Sequence, residues 1–119
     1  MSVHEDRPGE AQERTGSTQF LRWSVADGPA GRTVVLDGEL DIAGAQGLSP
    51  VIHEAAEAGD VVVDMAALTF IDSTGLGLLV AAHNTASGAG HALTLRHPGR
   101  TVLRTMHIAG LDGVLTIEE

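Results

Sequence analysis

The chain has 119 residues, 43% of them apolar and 3% aromatic, enough to bury one core filled by aliphatic side chains. Its formal net charge of -9 argues against nucleic acid as a partner, because such binding draws its strength from basic groups meeting phosphates; a basic protein surface is the better complement. All seven cations are arginine and there is no cysteine. That removes the lysine of a phosphate-binding loop or a Schiff-base enzyme, the thiol nucleophile, disulfides and cysteine-type zinc sites.

Residues 1–18 are polar and nearly devoid of large apolar side chains, so burial would not offset the entropy of ordering them. They are read as a disordered acidic tail, with residues 19–119 as the single domain. The N-terminus opens on charges without an apolar signal core, and no run of 18 apolar residues occurs, which points to a cytoplasmic protein outside the membrane. Phe20, Trp23 and Val25 begin a first strand, and the turn cluster from Ala26 to Gly31 leads to a second at Thr33–Asp37, paired antiparallel with the first. A helix is expected over Ala43–Ala58, ended by Gly59, with Pro50 marking its start or a kink.

A third strand covers Val61–Asp64, and residues 66–71 read as a connection. Leu76, Leu79, Val80 and His83 then recur with the helical period, placing a second helix from Ser73 to about Ala86. Strand four follows at 92–96, a short helix at 100–109 and a last strand at 114–117. This alternation is an α/β order. It predicts a mostly parallel mixed sheet of four to five strands, an antiparallel N-terminal edge strand and three to four helices.

The chemistry concentrates where strand three gives way to the second helix, at Asp72-Ser73-Thr74-Gly75. The first N–H groups of a helix lack partners and the peptide dipoles leave partial positive charge there, so carboxylates and phosphates are favoured. Asp72 suits the N-cap. Ser73 is then a first-turn serine, a nucleophile or a phosphorylation site.

The order of residues around it carries a resemblance. Val61-Val62-Val63-Asp64 followed by Asp72-Ser73-Thr74-Gly75-Leu76-Gly77-Leu78-Leu79, with Gly38-Glu39-Leu40-Asp41 upstream, resembles the paired signatures of the anti-sigma factor antagonists, whose fold is the STAS domain. The likeness runs from about Phe20 to the C-terminus. It implies partner switching: the unphosphorylated antagonist binds an anti-sigma factor that is also a serine-protein kinase, freeing a sigma factor. Phosphorylation ends the complex, and a metal-dependent serine phosphatase restores it. Carried onto this chain, Ser73 is the phosphoacceptor and Thr74 the second hydroxyl. Glu39, Asp41, Asp72, Ser73, Thr74, Gly75, Leu76 and Gly77 form the partner-binding set. The implied protein is a monomer or weak dimer without cofactor, metal or enzymatic activity.

Other patterns point less far. The six histidines show no i, i+4 pair with metal-binding spacing, and Gly75-Leu76-Gly77 lacks the third glycine of a dinucleotide loop. A serine at a strand-to-helix turn also suits a small hydrolase, yet with Asp72 and Thr74 as its flanks G-x-S-x-G would need a different frame, and 119 residues leave little room for that fold's triad and substrate pocket. The same domain also serves as a non-phosphorylated adaptor in transport or signalling complexes. Arg100 and Arg104 share a helical face near Arg96 and His97, which reads as a solvated surface or as one that meets an acidic partner.

Overall fold

The computed structural model describes residues 13–29 and 31–119. Six strands and three helices follow in the order β1 (Glu13–Ser17), β2 (Leu21–Gly28), β3 (Gly31–Leu40), α1 (Ile42–Ala58), β4 (Val61–Ile71), α2 (Ser73–Gly88), β5 (Leu93–Arg96), α3 (Arg100–Ile108) and β6 (Thr116–Glu118). The strands lie in the sheet in chain order. β1, β2 and β3 pair antiparallel, and the β3–β4, β4–β5 and β5–β6 pairs are parallel, as helical crossovers require.

Alternation along the strands divides the sheet into unlike faces. Leu21, Val25, Val34, Leu36, Val61, Val63, Leu93 and Leu95 are buried, in one cluster with Leu48 and Ile52 of α1, Leu79 of α2, and Val102 and Met106 of α3. The opposite face carries Arg22, Asp37, Asp64, Thr94, Arg96 and Glu118, all half-buried or exposed. Across neighbouring strands there, Arg22 meets Asp37 at 2.7 Å and Arg96 meets Glu118 at 2.8 Å. Helices therefore cover one face, and the other is mostly polar, with Val35 and Val62 among its side chains.

Three expectations need correction. Residues 13–17 of the expected tail are β1, while residues 1–12 lie outside the described part of the chain. β1 is an edge strand held by its ladder to β2 and by Trp23, which faces Gly16 so closely that a Cβ there would overlap the indole. Its own side chains bury little, so composition conceals it. Next, the connection at 66–71 is strand: β4 runs on to Ile71 against an equally prolonged β3. Two register shifts, at Val35/Asp37 and Gly38/Glu39, break the two-residue period, and Met65, Leu68 and Ile71 are buried at every third position instead. Gly38 serves the second shift with φ 114°, and Thr69 Oγ1 donates to its carbonyl at 3.1 Å. Finally, α1 begins at Ile42 and passes through Pro50. The donor that proline lacks would serve Gln46, and both residues are exposed, where water can take its place.

The chain's single tryptophan, Trp23, reports on β1. Gly16→Leu should shift its emission to the red and lower stability by about 1–3 kcal/mol, the usual range for overpacking. Unchanged emission with unchanged denaturant midpoint would show that the β1–Trp23 contact contributes nothing.

Candidate functional site at the paired helix starts

β3 and β4 are adjacent and parallel, so both leave the sheet at the same edge, and each ends in an aspartate that caps the helix behind it. Asp41 Oδ1 accepts from Gly44 N at 2.9 Å, and Asp72 Oδ1 accepts from Gly75 N at 2.9 Å. The two turns are one device used twice, Asp-x-x-Gly after a buried aliphatic residue. Asp72 N donates to Leu40 O at 3.2 Å and ties the second turn to the first.

Gly75 sits at the crowded point between them. A Cβ there would lie 2.8 Å from both Leu40 Cγ and Ile71 Cγ1 and 2.9 Å from Leu40 O. Gly44 has a milder form of the same constraint, with its added Cβ 3.1 Å from Leu21 Cδ2. Small residues at these places let both helices start close to the strand ends. Gly75 and Leu76 are buried and act by positioning, whereas Glu39, Ser73, Thr74 and Gly77 are exposed and Asp41 and Asp72 half-buried.

Ser73 is the first residue of α2, on the outside, with its hydroxyl beside the unpaired N–H groups of the first turn. No lysine or arginine occurs between Arg32 and Arg96, so the segments that build the two turns carry only acids among their fully charged groups.

The structure adds three residues that sequence reasoning missed. Phe20 is 51% exposed, Ile42 58% and Phe70 44%. Glu39 N donates to Phe20 O at 2.8 Å, Glu39 lies opposite Phe70 in the ladder, and Ile42 follows the cap Asp41. Apolar groups thus gather around the acidic helix starts. The available signal was scarcity, since the chain has only two phenylalanines and places neither in the core.

No group of three histidine, aspartate or glutamate side chains suited to a metal is present among the described residues. His53 Nδ1 lies 2.9 Å from Thr85 Oγ1 and His91 Nδ1 3.1 Å from Ala56 O, two links that bind α1 to α2 and its exit. His83 Nδ1, by contrast, is buried without a hydrogen-bond partner among the described residues. No described helix is long and apolar enough to cross a membrane.

The model of the family described as "Mlab, STAS domain" matches residues 23–117. The chain belongs to the STAS domain family. No curated protein matches it significantly. Among solved structures, an anti-sigma factor antagonist from Mycobacterium paratuberculosis is 25% identical, with a TM-score of 0.74 over 82% of this chain and 85% of that one. The anti-sigma factor antagonist SpoIIAA in its unphosphorylated form is 22% identical, with a TM-score of 0.67 over 82% of this chain and 88% of that one. The Bacillus cell fate determinant SpoIIAA in its phosphorylated form is 20% identical, with a TM-score of 0.62 over 82% and 91%. The latter two share the fold. STAS antagonists are non-enzymatic regulators, which sets aside the hydrolase reading.

Gly75→Ala tests the crowding between the paired turns. Helix propensity alone favours alanine by roughly 1 kcal/mol, but the contacts with Leu40 and Ile71 should outweigh it and give a net loss of about 1–3 kcal/mol. A gain in melting temperature would show that the turns are not tightly apposed.

Proposed function

We propose that this STAS protein is an anti-sigma factor antagonist acting in the cytoplasm. In its unphosphorylated form it binds an anti-sigma factor that is also a serine-protein kinase, and phosphorylation of Ser73 releases that partner. The observation that carries the reading is the placement of Ser73: an exposed hydroxyl on the first residue of α2, beside the half-buried Asp72 cap and linked through Leu40 to the Asp41 turn. The similarity to an antagonist from Mycobacterium paratuberculosis supports the partner class. The binding surface comprises Glu39, Asp41, Asp72, Ser73, Thr74 and Gly77, with Phe20, Ile42 and Phe70 supplying apolar contact. A metal-dependent serine phosphatase would restore the binding form.

The switch follows from charge and bulk. A phosphate brings about 1.5 to 2 negative charges at neutral pH, and it arrives beside Asp72 in a segment without arginine or lysine. The helix N-terminus offsets part of this, by roughly 0.3–1 kcal/mol at an exposed site, so the domain stays folded. At the interface the dianion meets a surface fitted to a neutral hydroxyl. Unpairing a buried interface charge costs on the order of 2–5 kcal/mol, enough to change partners without changing fold.

Incubation with the cognate kinase and ATP should add one phosphate, mapped by mass spectrometry to Ser73. Ser73→Ala should bind the anti-sigma factor at any ATP level, and Ser73→Asp should bind weakly with an unchanged melting temperature. Phosphate found only on Thr74, or normal phosphorylation of Ser73→Ala, would overturn the assignment. Kinase binding that is insensitive to Ser73 would favour the adaptor reading instead.

Asp41→Ala and Phe70→Ala separate capping from contact. Asp41→Ala should lose about 0.5–2 kcal/mol of stability through its cap, and a further loss of kinase affinity after correction for the unfolded fraction. Phe70→Ala should weaken binding with little change in stability. Binding deficits that vanish after that correction would reduce both residues to structural roles.

A further inference from the structure

The far edge of the sheet carries a second surface. β6 pairs only with β5 among the described strands, so its outer side is open. The direction of the backbone groups shows what that side offers. His97 N donates to Glu118 O at 2.8 Å, so the N–H and C=O of Glu118 face β5, and alternation along the strand turns those of Ile117 outward. Ile117 therefore presents one donor and one acceptor beyond the edge. Its side chain stands opposite the buried Leu95 in the ladder and so lies, half-buried, on the helix side of the sheet.

Beside this edge α3 and β6 enclose a groove of about 650 Å3 with Leu103 and Ile117 as its apolar walls. Arg100, Arg104, Asp112 and Glu119 also line it, two arginines against two acids, so the groove favours neither sign. Its charges are ordered along its length instead. β5 and β6 are parallel, so α3, which joins them, runs back against both. Arg100, at the start of α3, lies towards the C-terminal end of β6, as does Glu119. Asp112 lies towards the opposite end, with a carboxylate oxygen 2.7 Å from His107 Nδ1 in the last turn of α3. Arg100, Arg104 and Glu119 make no ion pair with any described residue. Ile108 and Val114, 74% and 49% exposed, add apolar surface where the chain enters β6.

Such a surface complements itself. A two-fold axis at Ile117 sets β6 of two copies antiparallel and brings the C-terminal end of each groove to the N-terminal end of the other. We infer that the protein forms a two-fold dimer through its β6 edges, which joins the two sheets into one. Ile117 N of each copy donates to Ile117 O of the other, and Thr116 stands opposite Glu118. The two Ile117 side chains share the helix side, between the two Leu103 walls. Arg100 of each copy meets Asp112 of the other. Balanced charge within one groove, with unlike groups at its two ends, fits a second copy of this chain where a partner of one sign would meet as much repulsion as attraction.

The contact is small. Three paired residues and one helix flank fall short of the roughly 800 Å2 per partner of a standard interface, so the dissociation constant is on the order of 0.1 mM. It also leaves the helix starts free. β5 pairs with β4 only over Val61–Asp64, and β4 continues to Ile71, which carries Ser73 roughly 20 Å further along the strand direction at 3.3 Å per residue. The two-fold axis sends the two Ser73 surfaces to opposite ends of the joined sheet, and the dimer presents them as a pair.

Sedimentation equilibrium of the full chain from about 10 μM to 1 mM tests this and should show a monomer–dimer equilibrium. The Ile117 amide should shift with concentration in NMR spectra and gain protection from exchange, while the amides of Thr116 and Glu118, already turned to β5, keep theirs. R100E and D112R should each weaken association about tenfold, since each turns two symmetry-related contacts repulsive, and R100E/D112R should restore it by exchanging the charges. R100E alters an exposed position and should keep its melting temperature, which separates lost association from lost fold. A monomer throughout the range, concentration-dependent shifts confined to β1 or to residues around Ser73, or a double variant that associates no better than the single ones would each overturn the proposal.

Discussion

The prolonged parallel pairing of β3 with β4, closed by the Asp72 N to Leu40 O hydrogen bond, is the constraint on which the rest of the site depends. It carries two strand ends beyond the remainder of the sheet and sets two aspartate-capped helices side by side. Neither turn alone would make a surface. With the turns apposed, two helix N-termini, two half-buried carboxylates and an exposed serine share one edge, and Gly75 has no room for a side chain because Leu40 fills it. The ends of parallel strands are where α/β folds place their sites, and here two register shifts lengthen them.

Charge is divided along the chain with similar economy. All described arginines lie in β1, β2, β3, β5 and α3 or at the entry of α3, while the stretch between Arg32 and Arg96 carries only acids among its fully charged groups. Several of these arginines pair across strands on the polar face of the sheet, where exposure limits each pair to no more than about 1 kcal/mol. Their larger effect is by placement. The segments that meet at Ser73 carry no arginine or lysine of their own. Arg100 and Arg104 lie on α3 and make no ion pair with any described residue.

The core is sparing for a six-stranded sheet. One face is covered by helices through aliphatic contacts, and the other stays mostly polar, without a second layer among the described residues. Both phenylalanines are spent on exposed positions near the helix starts instead of on packing. Such an arrangement costs stability that a buried aromatic would have contributed and is intelligible as a contact surface, since aromatic side chains are enriched where partners bind.

The α/β order, the helical period after Gly75, the capping role of Asp72 and the proximity of the Asp41 and Asp72 turns were legible in the sequence, because propensity, capping chemistry and the right-handed crossover are local or nearly local rules. The paired signatures likewise marked the two turns that the fold sets side by side. Other features depended on contacts between distant segments. β1 exists because β2 and Trp23 accept a polar strand; residues 66–71 are strand because β3 is bulged beside them; and Pro50 is tolerated because the surface it occupies is wet. The exposure of Phe20, Ile42 and Phe70, and the meeting of Arg100 and Arg104 with Ile117, were likewise decided only by folding, since a residue's exposure is set by neighbours that the chain brings from far along its length.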